Sequence, residues 1–383
     1  MKKITYIITL ILMFTTGLFA QKLPVIKATS KNVKIRDGAN FKQNFWVIFP
    51  ETKPDIYYVD IPRKEQRVTF ITDKDSIAFD MKYGENQDFI ILLNGKDSCY
   101  TRISATYPKI LERTQSVAID TIPFTITDNR IYVKGRINNS AELMFQFDLG
   151  AGGLGMCNIN HKSVKKVSMN FDKTTTLINS DGANQTRLSS TNTVRIGKIE
   201  WKNIEFVETK NMDRYEDAIF GNGLFLDKYV VADYDKKILI ISDIMPVLDS
   251  KYRKYPMLLE GGVKPLINAS FELEGKQYSD WFLFDTGNTG NGIVSFNFLN
   301  KHRLYDNFSK VLAIGDRAIA KIPILYLADT TINDGIINLD KKYNVATGYT
   351  EGGGLLGNQL LKKFNFILDN QQGYIYLKPN FFF

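Results

Sequence analysis

Trp281-Phe282-Leu283-Phe284-Asp285-Thr286-Gly287-Asn288-Thr289-Gly290 is the stretch that decides how this chain folds. A run of large apolar residues reads as a fully buried strand. The run ends on a carboxylate and turns at once through glycine. An ionised carboxylate is costly to bury unless another group pairs with it or shares its proton. The chain holds a second copy of the pattern, Met144-Phe145-Gln146-Phe147-Asp148-Leu149-Gly150-Ala151-Gly152. Two such turns facing each other place Asp148 and Asp285 side by side, where two carboxyls hold one proton between them.

The copies stay in register over a long span. In Ile219-Phe220-Gly221-Asn222, Gly221 lies 73 residues after Asp148, and in Leu355-Leu356-Gly357-Asn358, Gly357 lies 72 residues after Asp285. Asp233 and Asp369 each follow their glycine by 12 residues, and each leads into an apolar strand, Ile238–Ile241 or Tyr374–Leu377. Upstream, Ile131–Phe147 and Leu266–Phe284 each read as a hairpin feeding the carboxylate strand. A repeat of this kind predicts two similar β lobes, 119–245 and 246–383, related by a pseudo-two-fold axis. Asp233 and Asp369 end strands near turns and read as structural.

Ahead of the lobes, residues 21–115 read as a β-sandwich-like domain. Short apolar or alternating runs recur at Phe45–Phe49, Ile56–Val59, Val68–Ile71 and Ile77–Phe79. Phe89–Leu93 then meets Asn94-Gly95, the strongest short hairpin signal, so Cys99–Ile103 is expected to pair back. Residues 104–118, with Pro108 and the charged piece Lys109–Arg113, read as a linker. Residues 1–20 have a basic start (Lys2, Lys3), an apolar stretch from Ile7 to Leu18, and Ala20 before Gln21. That is the three-part design of an export signal, and it predicts a periplasmic or secreted protein. No stretch is long enough for a membrane span in the mature chain.

Composition fits this picture. The 383 residues, 44% hydrophobic and 23% charged, are globular in balance and leave room for two or three domains. With 26 Phe, 19 Tyr and frequent β-branched residues, the chain favours an all-β fold. The formal charge of +8 comes from scattered Lys and Arg, a solvated surface rather than a nucleic-acid footprint. His161 and His302 stand alone, outside any metal-ligand spacing. H-E-x-x-H, C-x-x-C, G-x-S-x-G and phosphate-loop motifs are all missing, so no metal or cofactor is expected. Cys99 and Cys157 read as small buried hydrophobes in different domains, with a disulfide as the alternative.

Apolar-apolar-Asp-Thr-Gly, followed about seventy residues later by a glycine after two apolar residues, resembles the lobes of the pepsin-like and retropepsin-like aspartic proteases. Leu355–Phe364 is similar to the closing segment of such a lobe, and Val194–Gly197 with Asn203–Phe206 resembles the strand pair before it. The resemblance covers roughly 119–383. It implies a bilobal double β-barrel and an aspartic endopeptidase that hydrolyses peptide bonds in a peptide or unfolded protein. Asp148 and Asp285 would be catalytic: the ionised acid draws a proton from a water, and the protonated one gives its own to the scissile carbonyl. Gly150, Ala151, Thr286, Gly287 and Asn288 would support them. Thr176–Gln185 is the candidate for a hairpin closing over substrate, its turn at Ser180, Asp181 and Gly182. The interval Leu149–Arg214 has no tyrosine, which with Ala151 leans to the retropepsin-like branch. One chain supplies both acids, so a monomer suffices.

Two positions depart from the pattern. Leu149 stands where the family has threonine and cannot donate a cross-lobe hydrogen bond, a loss of roughly 1 kcal/mol. Asn288 replaces a small residue, and its amide could reach Asp285 or narrow the cleft. Three functions stay open: an active exported endopeptidase, a catalytically weakened peptide-binding relative, or a binding protein whose N-terminal domain carries the activity.

Overall fold

The computed structural model describes residues 23–37, 41–59, 66–82, 84–106, 111–179, 182–260, 262–342 and 352–383. The export-signal stretch 1–20, Pro108 of the linker, and Ser180 and Asp181 of the hairpin turn lie outside them. The fold is all-β.

The N-terminal domain is two four-stranded sheets. One has the order Val25–Ala28, Asn86–Leu93, Asp97–Ser104, Asp55–Tyr58; the other Phe41–Val47, Asn32–Asp37, Gln66–Ile71, Ser76–Met81. Strict alternation in Asn32–Asp37 turns Val33 and Ile35 inward to meet Phe89, Ile91 and Cys99 of the facing sheet. Phe70 and Phe89 cross the interface edge-to-face, ring centres 5.2 Å apart. Asn94 and Gly95 both take left-handed backbone, at φ 53° and 68°, where Asn-Gly is at least cost. The turn nevertheless holds three residues, since Leu93 faces Asp97.

The linker is shorter than its sequence suggests. Arg113–Gln115 is a strand paired with Ile199–Thr209 of the first lobe. Arg113 is anchored there by Asp227 at 2.6 Å and lies over the Trp201 ring. Pairing with the first lobe therefore begins inside the stretch that reads as linker.

The repeat is visible in the strand pairing. Arg130–Ile137 and Leu143–Phe147 form the first hairpin; Lys264–Leu273 and Lys276–Asp285 form the second. Each carboxylate strand then pairs in parallel with a short strand running up to the later glycine. Phe147 faces Phe220, and Asp285 faces Gly357. Among the described residues most of the first lobe forms a nine-stranded sheet, while its remaining strands join those of the second lobe in a fifteen-stranded one. The part of the larger sheet between the lobes is antiparallel, in the order Ile119–Pro123, Ile238–Ser242, Tyr229–Asp233, Phe364–Asp369, Tyr374–Pro379, Arg253–Glu260. Its midline runs between Tyr229–Asp233 and Phe364–Asp369, the same segment of each repeat. One hydrophobic core, including Phe147, Phe220, Phe284 and Phe366, passes through both lobes.

A buried polar seam follows the same symmetry. The Asn222 amide donates to the Val263 carbonyl at 2.9 Å, and the Asn358 amide donates to the Asn129 carbonyl. Asn222 exchanges two bonds of 2.9 Å with Asn370, while Tyr234 donates to Asn358 at 2.6 Å. Each bond ties one lobe to the other. Asp233 and Asp369 accept backbone N–H bonds from Lys236 and Gln372 and so hold their turns. Replacing Asn222 with Ala takes the donor from the Val263 carbonyl and from the Asn370 amide oxygen, while the Asn370 amide nitrogen keeps the Phe225 carbonyl. Stability should fall by about 2 kcal/mol, read as a lower urea midpoint at unchanged slope.

Candidate active site

Asp148 and Asp285 end their strands at the pseudo-axis and meet. Each carboxyl is in hydrogen-bonding reach of the other. Protein surrounds both closely, yet each keeps a partly exposed edge, as expected on the floor of a cleft. Each turn supplies backbone donors to its own acid. Gly150 N–H donates to Asp148 Oδ1 at 2.8 Å; Gly287 and Asn288 N–H donate to Asp285 Oδ1 at 2.9 and 3.2 Å.

The glycines have a second reason to be glycine. Neither Gly150 nor Gly287 takes a left-handed φ. What each lacks is room. A Cβ on Gly287 would lie 2.2 Å from the Asp148 carboxyl carbon, and one on Gly150 would lie 2.6 Å from that of Asp285. Each turn thus lies against the opposite lobe's acid as well as holding its own. Behind them, a Cβ on Gly221 would lie 2.3 Å from the Ala151 carbonyl oxygen, and one on Gly357 would lie 2.3 Å from that of Gly290.

Both acids titrate above the ordinary carboxylate range. Burial is the largest cause for each, and for Asp148 the neighbouring Asp285 charge adds to it. Backbone donors oppose the rise: Asp285 has two and Asp148 one. Asp285 is therefore the better-held anion, and Asp148 carries the shared proton more of the time. Macroscopic titration still belongs to the pair.

The cross-lobe clamp survives in one half. Thr286, fully buried, accepts from Leu149 N–H at 3.0 Å and donates to the Phe147 carbonyl at 3.0 Å. Leu149 has no hydroxyl to return the pair. Its side chain is also fully buried and joins the common core. The Asn288 side chain turns to its own loop instead of hydrogen-bonding Asp285. Its oxygen accepts Gly290 N–H at 3.0 Å, and only its backbone meets Asp285. A short polar side chain in a glycine-rich turn satisfies its own turn first.

The candidate hairpin exists. Lys173–Asn179 pairs with Gly182–Ile196 throughout, closing with Asn179 opposite Gly182. Cys99 and Cys157 are buried free thiols, not a disulfide. His302 packs against the Tyr278 and Phe298 rings. Among the described residues no cluster of His, Cys, Asp or Glu could hold a metal ion, and no helix is long and apolar enough to cross a membrane.

Arg130 and Asn129 carry no sequence signal for this site, yet they reach it. Arg130 Nε donates to the Gly287 carbonyl at 2.9 Å, and the Asn129 amide donates to that of Thr289 at 2.8 Å. Arg130 opens its strand and Asn129 lies in the turn just before it, and only the folded partner lobe gives them a target. The sequence matches no protein-family model and no characterised protein.

Two outcomes follow. Thr286→Val strands the Leu149 N–H and the Phe147 carbonyl, so stability should drop by about 1–3 kcal/mol in chemical denaturation. Asp148→Asn should act the other way at neutral pH. An acid whose folded pKa lies above its unfolded value binds more protons folded than unfolded. Its cost therefore grows as pH rises from about 3.9 through the folded value. The variant should raise Tm by roughly 2–4 °C at pH 7 and leave it unraised near pH 3, by differential scanning calorimetry.

Proposed function

We propose that this chain is an exported aspartic-type endopeptidase that acts as a monomer on extended peptides or unfolded protein. The observation that carries the reading is the meeting of Asp148 and Asp285 at the pseudo-axis, with both titrations raised. The resemblance of the duplicated motif to the pepsin-like and retropepsin-like proteases supports it. In this reading the singly protonated pair is the working form. Asp285, the better-held anion, takes a proton from a water lying between the acids. Asp148 hydrogen-bonds the scissile carbonyl and donates its proton as the tetrahedral centre forms. The proton gained by Asp285 then passes to the leaving nitrogen while Asp148 takes one back from a hydroxyl of the tetrahedral centre; the carbonyl re-forms, the C–N bond breaks, and the pair again holds a single proton.

A second reading keeps the cleft and drops the chemistry: a peptide-binding relative of such enzymes. Leu149 favours it, because half of the hydroxyl clamp beneath the acids is missing.

Hydrolysis of an unfolded reporter protein decides between them. For the enzyme, kcat/KM should follow a bell over pH, with limbs set by the pair. Both limbs should lie above those of two ordinary carboxyls, and Asp285→Asn should lower the rate at least a thousandfold, a loss on the order of 4 kcal/mol. Equal rates in wild type and Asp285→Asn would remove the dyad from the mechanism. Peptide binding without turnover would establish the second reading.

A further inference from the structure

Beside the acids lies a cation with no ion pair of its own among the described residues. Leu258, Leu266 and Leu283 sit on three neighbouring strands and pack in one cluster. Side chains alternate along a strand, so the residues two further along share that face. They are Glu260, Lys264 and Asp285, a row of ionisable groups running off the apolar patch to the catalytic floor. Glu260 and Lys264 are direct cross-strand partners. The Lys264 ammonium acts on both Asp148 and Asp285.

The other lobe gives the control. Arg130 takes the place of Lys264 in the first hairpin, as the shared bonds of Asn129 and Val263 with the two seam asparagines show. Arg130 is neutralised by Asp213 and Glu216, and its Nε is committed to the Gly287 carbonyl. Lys264 has neither an ion pair nor a hydrogen bond among the described residues, and it is partly exposed. Glu260, the acid across from it, is pushed up to about 7 by burial, and its Oε2 has no partner. In acid solution Glu260 is neutral, and the charge shared by Asp148 and Asp285 is what Lys264 still faces. A chain lying across the pair therefore meets a free cation on the second-lobe side only.

We propose that Lys264 is a specificity-determining residue that selects a carboxylate side chain, Glu or Asp, on one side of the scissile bond. This rests on the endopeptidase reading and narrows its substrate. The test is a set of matched peptides carrying Glu or Gln at each of three positions on either side of one cleavable bond. The Glu-to-Gln ratio of kcat/KM, taken within one enzyme, is independent of how much activity a variant retains. In wild type it should be roughly fivefold at one position on one side, about 1 kcal/mol for a part-exposed pair. Lys264→Gln should bring it to one, Lys264→Arg should keep it, and Lys264→Glu should invert it in favour of Gln. Cleavage with ratios near one throughout, or a Glu preference that survives Lys264→Gln, overturns the assignment while leaving the catalytic reading in place. If wild type cleaves none of the peptides, the catalytic reading falls, and the same ratios are read from dissociation constants. A Glu preference erased by Lys264→Gln then upholds the site, and equal affinities or no binding overturn it as well.

Discussion

Two acids forced together inside protein repel each other and lose hydration, and the centre of this molecule is arranged around that conflict. Several features offset it. Three backbone N–H groups point at the carboxyls. Two glycines let the opposing turns come close enough for one proton to serve both acids. Parallel pairing with the strands ending at Gly221 and Gly357 fixes the height at which each acid leaves its sheet. A shared proton needs the two lobes held in register to a fraction of an ångström. That demand explains why the seam is built from directional bonds between Asn222, Asn358, Asn370 and Tyr234 rather than from apolar contact alone.

The two halves repeat in backbone and diverge in side chain, and the divergence has a direction. Asp285 receives two backbone donors and Asp148 one. Thr286 reaches across, and Leu149 does not. Arg130 is fully engaged, and Lys264 is free. Symmetry of pairing thus supplies the geometry that brings the acids together. Asymmetry of side chains biases where the proton rests and gives the two sides of the acid pair different surroundings. Pairs of carboxyls take different roles when their surroundings differ in this way.

What was legible in the sequence was whatever leaves a local or periodic trace. The buried runs ahead of Asp148 and Asp285, the glycines that follow, and the matching spacings to Gly221 and Gly357 all do so, and they located the acids and the hairpins. The Arg113–Gln115 strand escaped because three residues are too few to show alternation, and its partner lies 86 residues on from Thr114 in the case of Glu200. The seam escaped because a bond between Asn222 and Asn370 spans 148 residues and imposes no pattern on its neighbours. One clue was present: asparagine follows the glycine in both copies, at Asn222 and Asn358. Asn288 supports Asp285 through its backbone N–H and not its side chain, because the amide oxygen has a local partner, Gly290 N–H, that competes with the acid.

The half-clamp at Leu149 need not loosen the floor, and the bond inventory shows why. Loss of the second hydroxyl forgoes roughly 1 kcal/mol and leaves no polar group on Leu149 unsatisfied. Burying a leucine there in place of threonine adds apolar contact to the core the two lobes share. Meanwhile the second turn is tied to the first lobe at three separate points, through Thr286 to Phe147, Gly287 to Arg130 and Thr289 to Asn129. Arg130 is itself held by the buried Glu216, which also accepts from Tyr132 at 2.6 Å. Charge-assisted bonds anchored in this way resist displacement better than a neutral hydroxyl pair. The first lobe therefore grips the second turn from the side as well as from beneath, and the position of Asp285 against Asp148 does not depend on the missing threonine.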